Sequence, residues 1–183
     1  MVEIVVRPAV PADADSIARM WEALVQYHQA LDANLPLAAP QGARRYARRI
    51  VERIDDPLTR VLIAEVDSQP AGYVLGVVVD LAPEMFEQEP SGFLADIFVA
   101  EPYRRHGVGR ALVEALTAWF QARNLRYFEW HVAARNAGGL AFWKAVNGRD
   151  VMIRMRKDLQ AAAPFAIDPD SAAEPHHDAA GSD

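Results

Sequence analysis

The stretch of this sequence best suited to chemistry runs Asp96-Ile97-Phe98-Val99-Ala100-Glu101-Pro102-Tyr103-Arg104-Arg105-His106-Gly107-Val108-Gly109-Arg110-Ala111-Leu112. It begins as an apolar strand, turns at Pro102, and continues into a helix whose Val108, Leu112, Ala115, Leu116, Trp119 and Phe120 recur at three-and-four spacing. A helix N-terminus presents unpaired N–H groups and a partial positive charge, and glycine lets an anion come close to that backbone. Gly107 and Gly109 stand at this point, and Arg104, Arg105 and Arg110 add positive charge around it. The expected chemistry is capture of a phosphate. Glycine spaced in this way also fits an ordinary strand-to-helix turn. Two other phosphate loops fail. A dinucleotide-binding loop needs a third glycine where Leu112 stands, and a P-loop needs Lys-Ser/Thr where Arg110-Ala111 follows Gly109.

The elements that must position this loop come from a chain of 183 residues, 51% hydrophobic and 24% charged, enough for one domain with its own core. The net charge of -6 is unevenly spread. Gln160 to Asp183 holds five acids and no Lys or Arg, which leaves 19 basic and 20 acidic residues before it. A near-neutral body argues against general nucleic-acid binding. No apolar run reaches membrane-spanning length and no signal core follows Met1, so a cytoplasmic protein with no membrane partner is expected. Cysteine is absent, which excludes thiolate metal sites and a cysteine nucleophile.

Along the chain, Val2–Pro8 reads as a strand and Ile17 to His28 as a helix with an apolar stripe. A second helix carries Tyr46, Ile50, Val51 and Ile54 on one side and Arg44, Arg45, Arg48, Arg49 and Arg53 largely elsewhere, a solvated basic face or a contact for an anionic ligand. Arg60–Val66 and Ala71–Asp80 form a hairpin through Asp67-Ser68-Gln69-Pro70. An acidic loop with Asp80, Glu84, Glu87 and Glu89 follows. Then come a strand (Phe93–Val99), a helix (Val108–Arg123), a strand (Tyr127–Val132), a helix (Gly138–Val146) and a last strand (Val151–Arg156). Residues 160–183, with eight alanines and three prolines, read as a disordered acidic tail; His176 and His177 lie there without a third ligand, so no metal site is expected.

Arg104-x-x-Gly107-x-Gly109 resembles the Arg/Gln-x-x-Gly-x-Gly/Ala signature of the Gcn5-related N-acetyltransferases (GNAT superfamily). The strand ending Asp96 to Val99, the Pro102-Tyr103 step, Asn136 followed by Phe142-Trp143, and the closing Arg154 to Leu159 all lie where that family has them. The resemblance covers the order of elements over residues 2–159, the expected domain being 1–159, and its specific motifs lie between Asp96 and Gly148. It implies an α/β fold with a mostly antiparallel sheet of six to seven strands, splayed in the middle and flanked by about four helices. It implies acetyl-CoA as co-substrate, its pyrophosphate on the amides of Arg105, His106, Gly107, Val108, Gly109 and Arg110, with Arg104 beside them. The pantetheine arm would pair with the strand through Ile97, Phe98 and Val99. Asn136 and Phe142 would complete the site, although Asn136 could equally be a helix-start residue. Family members often form homodimers.

Acetyl transfer to an amine needs a base to remove the ammonium proton. Asp96, Glu129 and His131 are the candidates, Asp96 first. Many family members protonate the leaving thiolate with a tyrosine where this chain has Trp143, so Tyr103 is the candidate acid. The charges of Glu84, Glu87 and Glu89 would draw a cationic amine. The expected activity is direct transfer, in a ternary complex, to the primary amine of an amino-acid-like or polyamine-like small molecule. Alternatives are a peptide or protein amine, or a catalytically weak acetyl-CoA-binding module.

Overall fold

The computed structural model describes residues 3–80 and 90–158; Glu84, Glu87, Glu89 and the sequence after Asp158 lie outside the described residues. The elements are β1 (Ile4–Pro8), α1 (Ala14–Leu31), α2 (Gly42–Arg53), β2 (Thr59–Val66), β3 (Gln69–Val79), β4 (Ser91–Val99), α3 (Val108–Gln121), β5 (Phe128–Trp130) and α4 (Ala137–Ala145). The strands form one sheet in the order β1-β2-β3-β4-β5, antiparallel from β1 to β4 and parallel between β4 and β5. The hairpin joining β2 and β3 turns on Asp67 (φ 49°) and Ser68 (φ 62°). Two successive left-handed residues match the twist of the flanking strands.

Val74, Leu62 and Ala64 alternate with Tyr73, Ile63 and Val61 on the two central strands, so each strand buries both its faces. One face packs under α3 and Trp143 with Leu112, Leu116 and Phe120; the other lies under α1 and α2 with Ile17, Met20 and Ile50. This two-sided burial confirms the mixed α/β class with four α-helices. The described residues form five strands against the expected number of about six to seven, a small difference within the same fold, and one expected element is corrected. Val151–Arg156 makes no strand: Val151, Met152, Ile153 and Met155 are exposed and the segment enters no ladder. Its residues have strand propensity, but propensity forms a strand only where a partner backbone completes the hydrogen bonds. The Tyr127–Val132 strand shortens to three residues for the same reason.

An ion network fixes where α1 leaves the sheet. The Arg7 guanidinium donates to both carboxylate oxygens of Asp13, at 2.7 and 3.0 Å, and to Glu65 at 2.5 Å, while Asp13 also accepts from the Val10 amide at 2.8 Å. The hydrogen bond from Arg7 is the main cause that holds the Asp13 carboxyl below its usual 3.8. A lowered native pKa stabilises the fold above the unfolded pKa, and this contribution is lost as pH falls through the native value. Asp13→Asn is therefore expected to lower stability at pH 7, by about 2 kcal/mol for a partly buried pair. It should also flatten the acid limb of stability against pH below 3.8, as read by urea unfolding.

Candidate acyl-transfer site

β4 and β5 pair only over Gly92–Leu94 and Phe128–Trp130. Beyond Trp130 the second strand ends while β4 continues to Val99, still paired to β3. The two strands therefore part and leave a cleft. One irregularity aims β4 into it: Leu94 faces Gly76 and Asp96 faces Leu75, so Ala95 is an extra, bulged residue. Before the bulge the Gly92 amide donates to Tyr127 O, toward β5, at 3.0 Å; beyond it Ala100 donates to Ala71 O, toward β3, at 2.9 Å. By the two-residue period, the backbone N–H and C=O groups of Ile97 and Val99 point away from β3 and face the cleft. Such an edge can pair with an extended chain bearing amides. The Val99 carbonyl accepts from Arg104 Nε at 3.0 Å, and the Arg104 guanidinium lies 5.5 Å from the centre of the Phe98 ring and 5.3 Å from that of Tyr27. Arg104 thus clamps the strand end.

The cleft leads to the start of α3. Arg105 (φ 66°) and Gly107 (φ 92°) both adopt left-handed backbone, a pattern that curls successive N–H groups into an anion-binding concavity. Ala111 is the first helical amide with a backbone partner, Gly107 O at 3.0 Å; among the described residues the amides of Arg105 to Arg110 have none. Gly109 packs tightly: a Cβ there would lie 3.3 Å from the Phe142 ring and 3.7 Å from Val99. Arg110 reaches Ala145 O at 3.3 Å, and Arg105 and His106 are exposed beside the loop.

The other lip of the cleft carries Asn136, whose Oδ1 caps α4 by accepting from the Gly139 amide at 2.8 Å and also accepts from Tyr27 Oη of α1 at 3.3 Å. Arg135 pairs with Asp32 at 3.6 Å, a second link between α1 and this loop. Trp143, at the position where a tyrosine is frequent, is buried in the core with its ring 4.3 Å from that of Trp130. Tyr103 packs against the same core.

The bulge also turns Asp96 to the α1–α2 face. There its Oδ2 accepts from Tyr46 Oη at 2.8 Å. Burial pushes the Asp96 carboxyl above its ordinary value, opposed by the Tyr46 hydrogen bond and by the charges of His28 and Arg49. Burial lowers the pKa of His28. Tyr46 is held protonated, chiefly by burial and then by the neighbouring Tyr73 and Asp96, so it remains a donor. Glu129 and His131 do not join this group. Phe128 and Trp130 belong to the α3-side core, so Glu129 is on the Asp96 face of the sheet, yet it is exposed, and His131 lies past the strand end with its ring edge-on to Phe93 at 5.4 Å. Tyr46 and His28 escaped the sequence as polar members: each reads as one more position in an apolar helical stripe. A hydroxyl or imidazole within such a stripe was the available signal.

A family model described as the acetyltransferase (GNAT) family matches residues 19–148. The chain belongs to this family. It is an acetyltransferase. Among solved structures, a mutant BH1408 protein from Bacillus halodurans is 20% identical with a TM-score of 0.76, over 85% of this chain and 99% of that one. The aminoglycoside N-acetyltransferase AAC(6')-Iy, solved in complex with CoA, is 16% identical with a TM-score of 0.65, over 88% and 97% of the two chains. The aminoglycoside acetyltransferase meta-AAC0020 from an uncultured soil metagenomic sample, in complex with trehalose, is 12% identical with a TM-score of 0.62, over 86% and 97%. No curated protein sequence matches the chain.

The raised Asp96 pKa has a measurable consequence. Between the unfolded value near 3.8 and the higher native value, the acetyltransferase holds a proton that its unfolded chain has released. Stability must fall as pH rises through that window and level off above it. Asp96→Asn is expected to remove this fall; equal pH slopes in the two proteins would show that Asp96 titrates normally.

Proposed function

We propose that this acetyltransferase takes the acetyl group from acetyl-CoA and passes it, within a ternary complex, to the primary amine of a small molecule. The observation that carries the reading is the cleft whose one wall is the β4 edge of Ile97 and Val99, without a strand partner and with the Val99 carbonyl held by Arg104, whose end is the bare amides from Arg105 to Arg110, and beside which Asp96 stands. These groups fit the donor. The edge of β4 suits the amides of the pantetheine arm, the α3 loop suits the pyrophosphate, and Phe142 beside Gly109 closes the wall between them. When bound, acetyl-CoA supplies an acyl carbon joined to a thiolate leaving group.

The residues of the chain do the rest. An alkylammonium must lose a proton before its nitrogen can attack, and a carboxylate with a raised pKa is a stronger base than an ordinary one. Asp96 takes that proton, with Tyr46 donating to it and holding it in place. A cleft-facing amide of the β4 edge polarises the thioester carbonyl. The C–N bond then forms, the C–S bond breaks, and the second proton of the acylated nitrogen passes to the departing thiolate, directly or through water, so that no dedicated acid is needed. Trp143 cannot supply one, because its indole is a donor without usable acidity and is buried in the core. Glu129, His131 and Tyr103 have no assigned step in this reading. A small acceptor is supported by the size of the surface-open cavity beside Tyr46, about 480 Å³.

Release of free thiol from acetyl-CoA, measured across polyamines, amino acids, aminoglycosides and short peptides, tests the reading. The wild-type protein is expected to turn over with a small amine, and Gly109→Trp, which drives an indole into Phe142, to abolish cofactor binding. Asp96→Asn should lower kcat by about 100-fold or more, the usual contribution of a general base. Tyr46→Phe removes a donor that favours the carboxylate, so the acid limb of kcat/KM should move to higher pH. Full activity in Asp96→Asn would remove Asp96 from the mechanism.

A further inference from the structure

A cavity of about 480 Å³ is lined by Trp21 and Tyr46, by Arg45, Arg48 and Arg49, and by Glu52, and it is linked to Asp96 through Tyr46. Its floor is aromatic: Trp21 and Tyr46 stack with ring centres 5.0 Å apart. Its wall is cationic. Arg48 pairs with Glu52 at 3.5 Å across one helical turn, while among the described residues neither Arg45 nor Arg49 has an ion pair. Arg45 and Arg49 are four residues apart on α2 and so share one stripe, with Tyr46 one turn from Arg49. Tyr46 belongs to both places, since its ring lines the cavity and its hydroxyl donates to Asp96 at 2.8 Å.

We infer that this cavity is the acceptor site and that it selects a primary amine carrying a carboxylate or phosphate, the anion held by Arg45 and Arg49 and the amine directed toward Asp96. The inference rests on the transferase reading and narrows its substrate. Guanidinium groups form a fixed fork of donors that matches carboxylate and phosphate oxygens, and two of them without a carboxylate partner form a local anion site in a protein body whose charge is otherwise balanced. The arrangement fits an acceptor with charge of each sign: Asp96 takes the proton from one end, and the arginines take the negative end. Polyamines and aminoglycosides present cations to the same wall and are repelled. The volume suits an amino-acid-sized to monosaccharide-sized molecule. A second cavity, of about 650 Å³ between α1 and the ends of β3 and β4, mixes Arg19 and Arg104 with Glu101 and contains none of the residues that act on Asp96.

The test uses matched pairs that share an amine and differ in the anion: glycine with glycinamide, aspartate with its diamide, and O-phosphoethanolamine with ethanolamine. Binding is read without turnover, as the Tm shift of the full chain saturated with CoA, and catalysis is read separately as thiol release from acetyl-CoA. The anion-bearing member of the carboxylate or of the phosphate pairs should raise Tm while the partner that lacks the anion does not, and which pairs respond identifies the anion. Arg45→Ala should raise KM for that acceptor about 10- to 100-fold, the worth of one charged hydrogen bond, with kcat and the acetyl-CoA KM little changed. Arg45→Lys should recover part of the loss. Arg45 is exposed, so its replacement leaves the fold intact, which the Tm without ligand checks. A Tm shift from no anion-bearing amine, or equal KM values in wild type and Arg45→Ala, overturns the anion site. Turnover with glycinamide, ethanolamine or a polyamine in preference to the anions also overturns it and leaves the transferase reading standing. Binding of the anions without thiol release from any amine does the reverse.

Discussion

Between Leu94 and Asp96, β4 carries one residue more than the strand beside it, and the extra residue changes which way every later polar group of that strand points. Before Ala95 the even-numbered residues, such as Gly92, turn their amides toward β5; after it the even-numbered ones, such as Ala100, turn toward β3 and Ile97 and Val99 face the open edge. Asp96 is carried along by the same change. Without the bulge its side chain would enter the core beneath α3, among Leu112, Leu116 and Phe120, where an ionised carboxylate costs several kcal/mol. With the bulge it meets Tyr46. One insertion therefore decides that Ile97 and Val99 face the edge left open where β5 ends and that Asp96 lies on the α1–α2 face.

The environment of Asp96 is only partly compensated, and that incompleteness suits a base. A carboxylate accepting several strong hydrogen bonds falls to a low pKa and loses its appetite for protons. Among the described residues Asp96 accepts one, from Tyr46, beside the fully buried Tyr73. His28 and Arg49 act on it by charge across a distance rather than as ion pairs. Burial outweighs all three, so the pKa goes up. An arginine in direct contact would have reversed the balance and left a stable, inert ion pair of the kind Arg7 and Asp13 form at the start of α1.

What could be read from the sequence was what local spacing encodes. Gly107 and Gly109 after an apolar strand, with arginines around them, mark the anion loop because all the groups concerned lie within about one helical turn of each other in sequence. Asp96 was legible as a candidate for the same reason. Its partner was not, since Tyr46 is 50 residues away and nothing in its own helix distinguishes a hydroxyl that reaches a carboxylate from one that reaches solvent. The bulge was also invisible: Ala95 is an unremarkable residue, and the irregularity exists only in the register against β3. Val151–Arg156 shows the opposite failure. Its pattern fits a strand, but pairing depends on a free edge at the right place, which a segment's own residues do not specify.

Asn136 shows how two readings of one residue can both hold. Its Oδ1 accepts from the Gly139 amide and from the Tyr27 hydroxyl, which fixes the start of α4 and ties it to α1. An oxygen so engaged has no capacity left for a ligand donor, whereas the amide Nδ2 has two hydrogens and, among the described residues, no acceptor. The side chain can therefore cap the helix with one atom and offer the other to a carbonyl of a cofactor arm lying in the cleft. Because the Tyr27 hydroxyl bonds that same oxygen, α1 sets the angle at which Nδ2 is presented. Arg7 and Asp13 hold the other end of α1 to β1, so the 18-residue helix that carries Tyr27 is anchored at both ends.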